Sequence, residues 1–161
     1  MLRLERLTAE EGFRLRAIRL RALLEAPDAF ASTFEENAAR PMDGWSKQLM
    51  DMPTFVAVDN GVDVGMVRCA RDEEHVETAW LMSMWVAPEV RRTGVGGALV
   101  DAVIAWARSS AICRLLLEVS DSNTPAIALY ETKGFEPNGE VSRLPPPREH
   151  ISEHQRELRL S

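Results

Sequence analysis

Apolar and charged residues alternate through Leu2-Arg3-Leu4-Glu5-Arg6-Leu7, the period-2 pattern of a half-buried strand. The period then changes. Thr8 and Glu11 stand in capping-box spacing, and Phe13, Ala17, Leu20 and Leu24 share one face of a helix that Pro27 ends. Its arginines, at 14, 16, 19 and 21, read as a solvated face, with substrate contact as the alternative. Residues 28–51 predict one or two short helices interrupted at Pro41. Two β-rich runs, 54–58 and 62–70, flank Asn60-Gly61, a type I′ turn signal, and predict a hairpin. Residues 73–79 form an acidic turn before the mostly apolar strand 80–87, which Pro88 ends.

An amphipathic helix follows the glycine segment, then a short buried strand at 114–119. A loop and a short helix closed by Gly134 come next. Two strands around a proline-rich loop complete the chain to 161. The order is strand, helices, three strands, helix, strand, helix, two strands. It predicts an α/β fold with a mixed sheet, in which the central strand–loop–helix–strand unit makes a parallel pair by a right-handed crossover.

Composition narrows the choice of function. At 161 residues, 45% hydrophobic and 27% charged, the chain reads as one soluble domain spanning 1–161. A net charge of −6 argues against a general nucleic-acid or membrane-surface binder and weakly favours a cationic partner. Cys69 and Cys113 lack CxxC spacing and read as small buried apolar residues. Three scattered histidines, His75, His150 and His154, make no metal cluster, so no metal is expected. Without a long apolar run or a signal-peptide core at the start, the expected location is the cytoplasm.

The segment Arg91-Arg92-Thr93-Gly94-Val95-Gly96-Gly97 needs its own explanation, since glycine is a poor helix former. A glycine-rich turn at a helix N-terminus presents free backbone N–H groups to an anion, and the helix dipole adds partial positive charge. Arg91 and Arg92 add charge-assisted donors suited to a pyrophosphate. A tight turn with close packing is the other reading of the same glycines. Neither GxxxxGK[ST] nor a full GxGxxG is present, which leaves the two common nucleotide loops unmatched.

In this stretch the chain resembles the GCN5-related N-acetyltransferases. Residues 91–96 fit that family's cofactor loop, Q/R-x-x-G-x-G/A. Met84-Trp85-Val86-Ala87-Pro88 looks like its fourth strand and V-x-P exit. Residues 115–135 are similar to its fifth strand and the N-x-x-A-x-x-L-Y-x-x-x-G-F helix that follows. The detailed likeness runs from about residue 80 to 136, and elsewhere only element order agrees.

The resemblance implies a twisted mixed sheet whose fourth and fifth strands splay apart around acetyl-CoA. Backbone groups of Met84, Trp85 and Val86 would pair with the pantetheine arm. Arg91, Arg92, Thr93, Gly94, Val95, Gly96 and Gly97 would hold the pyrophosphate. Asn123 and Ala126 would contact the arm near its thiol. Arg92 departs from the family, which often has glycine there.

Tyr130, the only tyrosine, occupies the family's general-acid position. Glu118, twelve positions earlier, has the spacing of the base in bacterial enzymes that acetylate ribosomal-protein N-termini. A cross-strand ion pair is its other reading, and Glu35, Glu36 or a water chain are alternative bases. Trp45, Phe30 and Phe34 read either as core or as lining of an acceptor pocket. The implied activity is acetyl transfer to a primary amine of a metabolite, an antibiotic-like compound or a protein N-terminus. A non-catalytic acyl-CoA sensor of the same fold is the competing reading. A homodimer is compatible with the family.

Overall fold

The computed structural model describes residues 1–160. Strands are β1 (Leu2–Arg6), β2 (Thr54–Asp59), β3 (Val62–Arg71), β4 (Thr78–Val86), β5 (Arg114–Ser120), β6 (Glu136–Arg143) and β7 (Ser152–Arg159). Helices are α1 (Gly12–Glu25), α2 (Phe34–Ala38), α3 (Met42–Asp51), α4 (Val95–Ser109) and α5 (Thr124–Thr132). The element order follows the hydrophobic pattern throughout.

The seven strands form one mixed sheet in the order β1-β2-β3-β4-β5-β7-β6. Asn60 and Gly61 both take positive φ, 50° and 80°, as the β2–β3 hairpin turn requires. β4 and β5 are the parallel pair, and their pairing is short: Thr78–Trp80 match Arg114–Leu116, after which the strands separate. β5 stays paired with β7 over its whole length, so the opening lies on its β4 side. A register shift between Met66 and Arg68 puts a bulge in the β3–β4 ladder, with Ser83 at φ 56°.

Helix α4 buries Val95, Leu99, Val100, Val103, Ile104 and Ala107 against β2, β3 and β4. Its approach is close enough that a Cβ on Gly65 would stand 3.1 Å from Leu99 Cδ1. On the other face, α1 packs on β3 and β4 with α2 and α3 beside it.

Four expectations are corrected here. α1 buries Leu15, Ile18, Ala22 and Leu23, and leaves Phe13, Ala17 and Leu24 exposed. The helix carries two apolar stripes, and the sheet and α2–α3 cover the second. Its arginines are accordingly not a solvated face: Arg14 donates to Glu5, Glu11 and Asp63, Arg21 lies over the Trp85 ring, and Arg19 is buried. β1 is an edge strand whose Leu2 and Leu4 remain exposed, and Leu7 just beyond it enters the core. Cys69 is buried as expected, whereas Cys113, in the link before β5, is exposed.

Candidate active site

The gap between β4 and β5 opens into a cleft of about 980 Å³. One wall is Met84, Trp85 and Val86 at the end of β4, and the opposite wall comes from α5 and the loop before it, with Asn123, Ala126, Leu129 and Tyr130. Arg91, Arg92, Gly94, Gly96 and Gly97 close one end. The turn after α1 contributes Asp28 and Phe30, with Glu25 from the helix itself.

The glycine loop has the backbone geometry that an anion site needs. Gly94 caps α4 in the left-handed region at φ 90°, a conformation that costs an L-residue with a side chain roughly 1–2 kcal/mol. The first helical bond is Ala98 N–H to Gly94 C=O, at 3.1 Å. Among the described residues, the backbone N–H groups of 92–97 have no acceptor, so they are free for a ligand. Arg92 also sits at positive φ, 64°, which accounts physically for a glycine preference at that position. Gly96 has a second reason to be small. A Cβ there would lie 3.0 Å from Leu129 Cδ2 and 3.3 Å from Met84 Cε, on both walls of the cleft. Backbone conformation thus accounts for Gly94 and close packing for Gly96.

Arg91 lines the cleft with its guanidinium anchored: Nε donates to Val86 C=O at 3.0 Å and Nη2 to Glu25 at 2.5 Å. Trp85 Nε1–H also donates to Glu25, and with Arg91 it holds that carboxyl below the usual range. Thr93 and Val95 do not reach the cleft wall. Thr93 Oγ1 donates to Val90 C=O, and Val95 is buried under the loop.

Asn123 caps α5 by accepting from Ala126 N–H at 3.4 Å, which orients the helix carrying Tyr130. Tyr130 is 5% exposed and rests edge-on against Phe135, with ring centroids 5.8 Å apart. Its hydroxyl makes no hydrogen bond among the described residues. Burial pushes its pKa well above that of an ordinary phenol, so the hydroxyl stays protonated.

Glu118 lies outside the cleft wall, exposed on β5, and accepts from Ser142 Oγ on β6. Its cross-strand partner is thus a serine and not an arginine. Glu153 on β7 is the diagonal neighbour of Glu118, since Glu118 pairs with Gln155 and Ser120 with Glu153. Burial first, and the Glu118 charge second, raise the Glu153 pKa, while Arg148 opposes them. Nothing in the local pattern of β7 marks Glu153; only strand register brings it to Glu118. Glu35 and Glu36 are exposed on α2 and do not line the cleft. Of the three aromatics, Phe30 lines the cleft, Trp45 is fully buried core and Phe34 packs against the core.

The family model for the acetyltransferase (GNAT) family matches residues 19–135. The chain belongs to this family. A curated relative, the mycothiol acetyltransferase of Thermobispora bispora, is 30% identical over 123 residues, 74% of this chain and 41% of that protein. The ribosomal protein bS18 alanine N-acetyltransferase of Escherichia coli K12 is 40% identical over 60 residues, 37% of this chain and 40% of that protein. The chain thus spans about two fifths of the curated relatives it matches. Among solved structures, a GNAT-family acetyltransferase from Streptococcus pneumoniae superposes with TM-score 0.87 at 21% identity, covering all of both chains. The structure of yncA from Salmonella typhimurium, solved with its cofactor acetyl-CoA, has TM-score 0.81 at 18% identity, covering 100% and 95%. At these identities the two structures show the shared fold.

Proposed function

We propose that this GNAT-family protein transfers an acetyl group from acetyl-CoA to a primary amine. The observation that carries the reading is one cleft with the free N–H groups of residues 92–97 at one end and the Tyr130 hydroxyl in its wall. Those N–H groups suit the pyrophosphate, and the unpaired edges of β4 and β5 suit the amide groups of a pantetheine arm. Met84, Trp85 and Val86 supply one edge, and Asn123 and Ala126 flank the thiol end. Acetyl-CoA supplies the thioester.

An amine nucleophile must be neutral when it attacks the thioester carbonyl. The C–N bond then forms, the C–S bond breaks, and the amine gives up a proton. Tyr130, kept protonated by burial, donates its proton to the departing sulfur. We assign the amine proton to the Glu118–Glu153 pair, reached through a water chain because neither carboxylate lines the cleft. Burial, with the Glu118 charge second, raises the Glu153 pKa, which makes Glu153 a stronger base than an ordinary carboxylate.

The sign of one substitution follows. Glu118→Gln removes the charge that raises the Glu153 pKa, so that pKa falls. A base works only when deprotonated, hence the acid limb of the kcat/KM profile moves to lower pH. A pH–rate series on both proteins reads this directly, and an unmoved acid limb removes the pair from proton transfer. Amine-dependent release of free thiol from acetyl-CoA tests the transferase reading as a whole.

A further inference from the structure

Behind Phe30, which lines the cleft, three arginines converge from separate elements. Arg19 comes from α1, Arg40 from the link between α2 and α3, and Arg68 from β3. Arg19 and Arg68 are 4% and 5% exposed. None of the three has a salt-bridge partner among the described residues. Their electrostatic neighbours are each other: burial, followed by mutual repulsion, lowers the pKa of both Arg19 and Arg68. Removing guanidinium charge from water without a counter-charge is strongly unfavourable, and folding alone gives no reason to bury two such groups beside a third arginine.

Their donors are also underused. Arg19 Nε and Nη1 and Arg40 Nε are buried with no acceptor, and Arg19 makes one side-chain bond, from Nη2 to Ser32 Oγ at 3.1 Å. Arg68 gives two donors to one hydroxyl, Ser83 Oγ, at 2.9 and 2.7 Å, and a third to Gln48 at 2.7 Å. Two of the guanidinium planes are held by aromatic rings. Arg19 Cζ lies 4.5 Å from the Phe30 centroid and Arg40 Cζ 5.2 Å from that of Trp45. The aromatic face covers one side of each guanidinium and accepts none of its N–H hydrogen bonds.

The cluster adjoins the cleft at Phe30. Phe30 is both a cleft residue and the cover of Arg19, while Ser83, at the β4 bulge, directly precedes cleft residue Met84. The segment bearing Phe30 is held by Arg148, whose guanidinium donates to the carbonyls of Pro27, Phe30 and Ala31 at 2.6, 2.9 and 2.8 Å. Reaching the unpaired donors from the cleft requires the Phe30 ring to turn aside within that held segment.

We infer that Arg19, Arg40 and Arg68 form an oxyanion seat for the acceptor, which is a primary amine bearing a carboxylate, of amino-acid type. This rests on the transferase reading for the amine and on the cluster alone for the carboxylate.

The test compares matched acceptors by thiol release: amino acids, their carboxamides, the corresponding simple amines, and an amine bearing a phosphate ester. It uses wild type and Arg40→Gln, with Arg68→Gln as a second variant. Arg40 is half-buried, so its variant is the one expected to keep the fold. Acids are expected to be preferred, and Arg40→Gln should raise KM for acids by roughly tenfold or more while leaving KM for simple amines unchanged. A parallel thermal-unfolding series with CoA and millimolar amino acid should show stabilisation that is reduced in Arg40→Gln. That binding result without any turnover would uphold the seat and sink the transferase reading. Equal use of acids and simple amines, preference for the phosphate ester, or stabilisation unchanged in the variant would each overturn the carboxylate seat.

Discussion

Replacing Tyr130 by Phe is expected to lower kcat by roughly 10²–10⁴-fold, the range for loss of a positioned general acid. Acetyl-CoA affinity should be almost unchanged. The substitution removes one oxygen that makes no hydrogen bond among the described residues, and it keeps the ring against Phe135. Fold and cleft wall are therefore preserved, and the loss falls on the step where the thiolate leaves. Single-turnover kinetics with calorimetry of acetyl-CoA binding separates the two quantities. A kcat within a few-fold of wild type would take Tyr130 out of the mechanism.

The second large effect is expected at Gly96. Gly96→Val puts a Cβ 3.0 Å from Leu129 Cδ2 and 3.3 Å from Met84 Cε, with two further methyl groups beyond it. Those neighbours form the facing walls of the cleft, so relief of the clash narrows the gap or pushes α5 outward. Overpacking of this kind costs about 1–3 kcal/mol. If it falls on the bound state, acetyl-CoA binding weakens roughly tenfold or more. Gly94→Ala is the instructive contrast. A Cβ at Gly94 meets nothing within 4 Å, and its penalty is the positive φ alone. Calorimetric titration of both variants, beside their denaturation midpoints, shows whether wall geometry or loop strain governs affinity.

The central unit was legible because its signals are local. Pro88 stops β4, Gly94 caps α4 at positive φ, and Asn123 caps α5, each within a few residues of the element it ends. The α1 face was not legible, because Phe13-Ala17-Leu20-Leu24 and Leu15-Ile18-Ala22-Leu23 are both plausible stripes. Distant partners decide between them: Asp63 and Glu5 take Arg14, and Trp85 takes the Arg21 cation. The arginine seat needs residues 19, 40 and 68 together, and no spacing in the chain announces it. Glu153 reaches Glu118 only through the β5–β7 register, two strands that the sequence does not pair by itself.

The central claim is that the β4–β5 cleft carries an acetyl group from acetyl-CoA to an amine. Its most direct test mixes the protein with acetyl-CoA and a panel of amino acids, polyamines, aminoglycosides and short peptides. Free thiol and the mass of each acceptor are followed together. The account predicts thiol released in equal amount to one acetylated amine, at a rate set by that amine. Acetyl-CoA that binds without amine-dependent thiol release across the panel, or that fails to bind, would contradict it.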